Sequence, residues 1–300
     1  MRRWIKRMLG VICILVVLLA VMIAVNGWST DLPARSDATL RVASHNVHYI
    51  ILRRETGPWS VGDWEERKEA LDAAFKSLDA DIVGFQEMES FQRGDGGVNL
   101  ALDWLIENNP EYRAAAVGDW QTFPITQPIL YRADRLTALD QGWFFFSDTP
   151  DVIYSRTFNG SFPAFASWVE FDDPVTGRFK VVNVHFEYSS ASNRLKSAAL
   201  VVERIKPWID AGETVFLIGD LNALRGSRTM RRLETAGLTF FPIWGSSFHF
   251  NRGLNLFGPI DHLAVSDGVS AVSRPVAVRG KFEGDWPSDH YPVVGDFVRD

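Results

Sequence analysis

The chain has 300 residues, 46% apolar, 13% aromatic and 23% charged, an ordered globular composition rather than a disordered one. Its single cysteine, Cys13, excludes a disulfide framework, a CxxC redox pair and a cysteine-based zinc site within one chain, which leaves oxygen and imidazole as metal ligands. The formal charge of −6 deepens to −10 once the four basic residues of the first 27 are set aside, so a strongly basic nucleic-acid footprint is excluded, although a nuclease with a local groove is not.

The first element is "MRRWIKRMLGVICILVVLLAVMIAVNGW". Arg2, Arg3, Lys6 and Arg7 precede an uncharged run from Met8 to Val25 that rises about 27 Å as a helix and just crosses a hydrocarbon core. Trp4 and Trp28 flank it as interfacial aromatics would. Residues 1–28 therefore read as a membrane anchor, single-pass, with the basic end in the cytoplasm and everything after Trp28 on the extracytoplasmic side. The alternative is a signal peptide and a secreted product, but the run is long for a signal core and no small-x-small cleavage site follows it.

Residues 29–39 are a short polar linker, and 40–300 read as one large domain without internal repeat. "LRVASHNVHYI" is a strand, followed by a helix whose stripe is Leu71, Ala74, Phe75 and Leu78, then a buried strand from Asp81 to Phe85 tipped by Gln86-Glu87. A glycine-rich loop over 88–99 leads to a helix around Leu100 to Glu107. Strands are expected at Tyr112 to Val117, Pro128 to Arg132, Ala164 to Phe171 and Phe179 to Tyr188. A long helix with Leu195, Ala198, Ala199, Val202 and Ile205 on one face ends near Pro207 to Gly212 and yields to "TVFLIGDLNA", another buried strand with a polar tip. The last third alternates loops with strands at Ile260 to Val265, Pro275 to Val278 and Tyr291 to Val298. More strand than helix, with hairpin-like connections, argues against a βα barrel and for two mixed sheets packed face to face with helices on the outer faces.

Several apolar strands end in acid, amide or imidazole: Asn46, Gln86-Glu87, His185, Asp220 with Asn222, and Asp261 and Asp289-His290 nearby. A lone Asn or Asp after a strand is usually a turn or cap, but their recurrence points to one polar edge. Glu87 suits a hard cation such as Mg2+, which prefers carboxylate oxygen and keeps waters that a substrate phosphate can displace. Asp220 and Asn222, two apart in extended chain, face one side, the Asp as metal or water ligand and the Asn as a donor to an anionic oxygen. His290 needs a carboxylate to fix its remote nitrogen; Asp261, from a separate strand end, is better placed than its neighbour Asp289. His185 is left to bind or protonate a phosphate oxygen.

Together "NVH", "QE", "GDLN", "IDHL" and "SDHYPV" resemble the endonuclease/exonuclease/phosphatase superfamily, whose members include deoxyribonuclease-I-like nucleases, neutral sphingomyelinases and inositol-polyphosphate 5-phosphatases. The resemblance runs from about Leu40 to Val298 and implies an α/β, four-layer sandwich with its site at one edge of two packed mixed β-sheets. It also implies a metal group of Asn46, Glu87 and Asp289 taking Mg2+, with Mn2+ as a substitute. The catalytic group it implies is His185, Asp220, Asn222, Asp261 and His290. The expected activity is phosphodiester hydrolysis by activated water on a nucleic acid, a phospholipid headgroup or a small diester. A phosphomonoesterase of the inositol-phosphate type and a non-catalytic tethered binding domain are the alternatives. Intervening loops add Arg53, Arg54, Arg156 and Arg252 as phosphate partners, and Trp59, Trp64, Trp120 and Trp244 as stacking platforms. His45 and His48 flank Asn46, one of them at the mouth of the site, and His249 reads as an exposed loop residue.

Overall fold

A computed structural model of the protein describes residues 2–36, 39–90, 97–160 and 162–299. Half of the expected glycine-rich loop, residues 91–96, and residues 37 and 38 near the end of the polar linker lie outside the described residues. Helix α1 spans Arg2–Gly27. Its stretch from Trp4 to Gly27 is long and apolar enough to cross a membrane, and it is exposed along most of its length, meeting the rest of the protein at its C-terminal end.

Two sheets follow. In the first, β1 (Leu40–Asn46) is the hub: it pairs in parallel with β2 (Ile82–Gln86) and antiparallel with the C-terminal strand β13 (Val293–Arg299). Beyond β2 lie β4 (Ile129–Arg132) and β3 (Tyr112–Ala115), and two short strands, β11 (Val269–Ala271) and β12 (Val276–Ala277), pair with β13. The second sheet runs β5 (Thr137–Phe145), β6 (Phe165–Asp173), β7 (Gly177–His185), β8 (Val215–Asp220), β10 (Asp261–Val265) and β9 (Thr239–Phe240). Only β7 and β8 are parallel there. Each parallel pair requires a crossover, which α2 (Val61–Leu78) and α4 (Ala191–Asp210) supply. Ser60 and Ser190 cap these helices by accepting from the amides of Asp63 and Asn193, and Asp79 ends α2 in the left-handed conformation.

Side-chain alternation sorts the strands into three cores. Val42, Ile82, Phe216, Ile218, Leu263 and Phe297 point between the sheets. Ala43, Val83 and Phe85 point outward against Trp64, Leu71 and Phe75 of α2. Leu217, Val182 and Ala264 point the other way, onto Ala198, Val201 and Ile205 of α4 and Leu233 of α5 (Arg228–Glu234). The result is helix, sheet, sheet, helix, as the sequence implied. Four elements were not anticipated: α5, the long edge strand β5 and the short strands β9 and β11.

The strand directions place the polar tips together. Asn46 is the partner of Gln86, His185 of Asp220, and Asp220 of Asp261, so five strand termini meet at one edge. Because Ser44 pairs with Val293, the chain enters β13 at this same edge and carries Ser288, Asp289 and His290 with it.

Candidate active site

All eight predicted site residues converge there, four from each sheet. Glu87, His185, Asp220, Asn222, Asp289 and His290 line a cleft of about 600 Å3. Asn46 and Asp261 lie beneath its floor, almost fully buried. The Asn46 amide ties the halves together, donating from Nδ2 to Glu87 Oε1 at 3.0 Å and to Asp220 Oδ2 at 3.2 Å. His185 Nε2 stands 3.7 Å from the same two carboxylates. Asp261 Oδ2 holds His290 Nδ1 at 2.8 Å, which turns Nε2 toward Asp220 Oδ2, 3.8 Å away. Asp289 does not orient His290; its Oδ1 meets His48 Nδ1 at 3.1 Å. Asn222 donates from Nδ2 to the Phe186 carbonyl at 2.9 Å, which leaves its second amide hydrogen for an anionic ligand.

The backbone is bent to achieve this. Glu87, His48 and Asn222 all adopt positive φ (58°, 63° and 46°), a conformation that turns the chain sharply just past a strand end and is costly outside glycine. Gly219 is required one residue before Asp220: at φ 139° a Cβ would lie 1.9 Å from the Val184 carbonyl oxygen of the neighbouring strand.

The electrostatics follow from crowding acids and imidazoles out of water. Burial, then repulsion from Asp261, raises the Asp220 pKa to about 6. Burial and the charge of Asp289 likewise raise that of Glu87 against the hydrogen bond from Asn46. Burial acts to lower the His290 pKa, but the charge and hydrogen bond of Asp261, with Asp220 and Asp289 beyond, raise it well above the usual histidine value. For His185 burial prevails over Asp220 and its pKa falls.

A model of the endonuclease/exonuclease/phosphatase family matches residues 43–290. The chain belongs to the endonuclease/exonuclease/phosphatase family. No curated protein matches it. A family member from Bacteroides thetaiotaomicron is similar in structure, with a TM-score of 0.73 and 25% identity over 89% of this chain and 100% of that one. A mannosyl-6-phosphatase from the same organism gives 0.71 and 26% over 86% and 99%. The catalytic domain of human Nocturnin shares the fold at 13% identity, with a TM-score of 0.60 over 91% of this chain and 97% of that one. Membership and the clustered ligands make this endonuclease/exonuclease/phosphatase protein a metal-dependent hydrolase of phosphoric esters.

The residues present fit a divalent cation. Asp220, Asp261 and His290 offer ligand atoms within 4.8 Å of one another. Asp261 Oδ1 is buried without a hydrogen-bond partner among the described residues, a position that a positive charge or a donor would satisfy. Glu87 and Asp289, whose repulsion raises the Glu87 pKa, form a second acidic grouping across the cleft, bridged to the first by Asn46.

Several surrounding residues differ from expectation. His249 is not exposed: it is completely buried, its ring 4.4 Å from that of Trp286 and 4.2 Å from that of Tyr291. Trp64 is no stacking platform, because it is sealed in the core under α2. Trp59 does line the cleft, stacked 5.4 Å from His48, whereas Arg53, Arg54, Arg156 and Arg252 do not reach the described cleft wall. His45 is buried beside Phe85 and burial pulls its pKa down to about 3, so His48 is the one at the mouth. The sequence reading missed Arg67, whose buried guanidinium donates to the carbonyls of Val47 (2.9 Å), His48 (2.8 Å) and Pro287 (3.0 Å), clamping the loop after β1 to the one before β13. Its signal was spacing: Trp64 and Arg67 continue the Leu71, Ala74, Phe75 stripe. Also missed were Ser247 and Ser288. Ser247 Oγ accepts from the amides of Ile260 and Asp261, and Ser288 Oγ from that of His290.

Proposed function

We propose that the protein is a Mg2+-dependent phosphodiesterase that works by direct attack of water, held by α1 on the extracytoplasmic face of a membrane. One observation carries the chemistry: the Asp261–His290 pair and Asp220 face Glu87 and Asn46 across a single cleft. Glu87, Asn46 and Asp289 are the residues that would hold Mg2+, with Mn2+ as a substitute. The Asp261 carboxylate is already engaged by the His290 imidazole, which is why we assign that pair to proton handling rather than to the metal. Bound there, the cation would draw charge from the phosphoryl oxygens.

The protein's own groups supply the rest. Asp220, with a pKa near 6, is ionised at neutral pH and basic enough to take a proton from water. His290, kept protonated by Asp261, presents a positive Nε2 to the phosphate; Asn222 and His185 donate to its remaining oxygens. Among the described residues lining the cleft there is no serine, cysteine or lysine, which favours water as the nucleophile. A diester carries substituents on both sides of phosphorus, and the extent of the open space favours that reading. A second hollow of about 690 Å3, with Arg194 and Arg228 in its wall, adjoins the cleft at Asn222, Phe257 and Ile260. The likeness to a mannosyl-6-phosphatase favours a second reading, a phosphomonoesterase.

The test is hydrolysis of bis(p-nitrophenyl) phosphate and p-nitrophenyl phosphate, beside DNA, RNA and phospholipids. Activity abolished by EDTA, restored by Mg2+ and lost in Glu87→Ala supports the proposal. Faster turnover of monoesters would select the second reading. Absence of hydrolysis across all substrates would favour a binding domain.

A further inference from the structure

The end of α1 is not on a loose tether. Ser246 donates its amide to the Asn26 carbonyl at 2.8 Å, and Ser29 Oγ donates to the Ala277 carbonyl at 2.9 Å. The Arg279 guanidinium donates to the carbonyls of Trp28, Trp244 and Ser246. The Trp28 ring meets that of Trp244 edge-on at 5.4 Å. If α1 spans a bilayer, Trp28 sits at its surface, and Trp244 must sit there too.

From Trp244 the chain leads directly to the cleft. Phe248 packs its ring 4.9 Å from that of His290, and Phe257 forms part of the cleft wall. Four extended residues reach at most about 14 Å, so the mouth stands close above the headgroup layer. The intervening surface has the composition such a layer accepts: Trp244, Phe250 and Leu254 are 46%, 39% and 39% exposed, Arg252 is exposed between the latter two, and Arg274 lies 4.4 Å over the Trp244 ring. Exposed apolar rings are costly in water, whereas aromatic and basic side chains together are favoured where lipid meets water.

We infer that the segment from Trp244 to Phe257 is a membrane-docking surface that holds the cleft mouth against the leaflet from which α1 emerges. The inference rests on the anchor reading of α1 given above, and extends it from a tether to a fixed orientation. In this geometry the cleft samples phosphate esters at the bilayer surface before those in solution.

Site-directed spin labelling of the full chain tests it. Cys13→Ala removes the native thiol. Single cysteines then replace Phe250, Leu254, Arg252, Val16 in α1 and Val175, the last 82% exposed in the turn before β7, at the strand ends opposite the site. The protein is reconstituted in vesicles of equal parts phosphatidylcholine and phosphatidylglycerol. Labels at 250 and 254 should show an oxygen-to-nickel accessibility ratio several-fold above that at 175 and approaching that at 16. Should Phe250→Cys or Leu254→Cys fail to fold, Arg252→Cys provides the same comparison from a surface position. A label at 16 in lipid with those at 250, 252 and 254 in water overturns the docking surface alone. A label at 16 in water overturns the anchor and the docking surface with it.

Discussion

Replacing Asp261 by Asn keeps the shape of the side chain and removes its charge from His290. At the 2.8 Å separation of the pair, unit charges attract by about 6 kcal/mol at an effective dielectric constant of about 20, an upper figure from which the cost of burying both groups must be deducted. Removing one member of a buried pair leaves about 3–5 kcal/mol of lost stabilisation, which corresponds to about 10²- to 10⁴-fold in rate if the charge is needed in the transition state. The assay is bis(p-nitrophenyl) phosphate hydrolysis at saturating Mg2+ across pH 5.5–9.5, with thermal unfolding to confirm that the variant is folded. The expected result is that drop in kcat with an almost unchanged Mg2+ activation constant. Asp261 raises the His290 pKa, so its loss should also move the alkaline limb of the profile to lower pH. A variant within threefold of the parent would refute the role of the pair. A defect confined to the Mg2+ activation constant would instead make Asp261 a metal ligand, the arrangement that its closeness to Asp220 and His290 also permits.

Arg67→Met keeps the stem and strands three buried carbonyls; at about 1 kcal/mol or more apiece it should cost about 3 kcal/mol in urea unfolding and lower kcat, and a loss below about 1 kcal/mol would show that the clamp is dispensable. His249→Phe should flatten the acid limb of stability. Burial lowers the His249 pKa to about 4, so its contribution is complete above the unfolded value of about 6.5 and fades as pH falls toward 4, about 2 kcal/mol of it between pH 7.5 and 5. Equal slopes in parent and variant would contradict this. Gly219→Ala should destabilise by more than about 3 kcal/mol or abolish soluble expression, since the new methyl meets backbone that cannot yield. Normal melting would mean that β7 and β8 are spaced differently.

What the sequence disclosed was whatever a strand announces locally. "TVFLIGDLNA" is apolar on both faces and ends in acid and amide, and it became β8 with Asp220 and Asn222 at the cleft. Strand β5 was illegible because its first half is a solvent-exposed edge, where "TALDQ" needs no alternation. Helix α5 escaped because its seven residues include three arginines and too few turns to display a period. Fates decided by distant partners were the hardest to read. Arg67 looks solvated within "WEERKEA" until its three carbonyls arrive from elsewhere in the chain, and His249 looks like loop until Trp286 and Tyr291 enclose it. The Asp261–His290 contact spans 29 residues of sequence, yet chemistry suggested it, because an imidazole with one nitrogen aimed at a reaction requires a carboxylate on the other, which its chain neighbour rarely supplies.

The seam between the sheets runs through the middle of the proposed reaction centre. One sheet contributes Asn46, Glu87, Asp289 and His290; the other brings His185, Asp220, Asn222 and Asp261. Catalytic spacing is thus a gauge of how two slabs are aligned, and nothing within either slab alone can preserve it. The aromatic packing of Phe216 on Phe297, well below the cleft, then acts as a dowel against sliding. Loosening it should extinguish turnover on warming while both halves still retain their helices and strands.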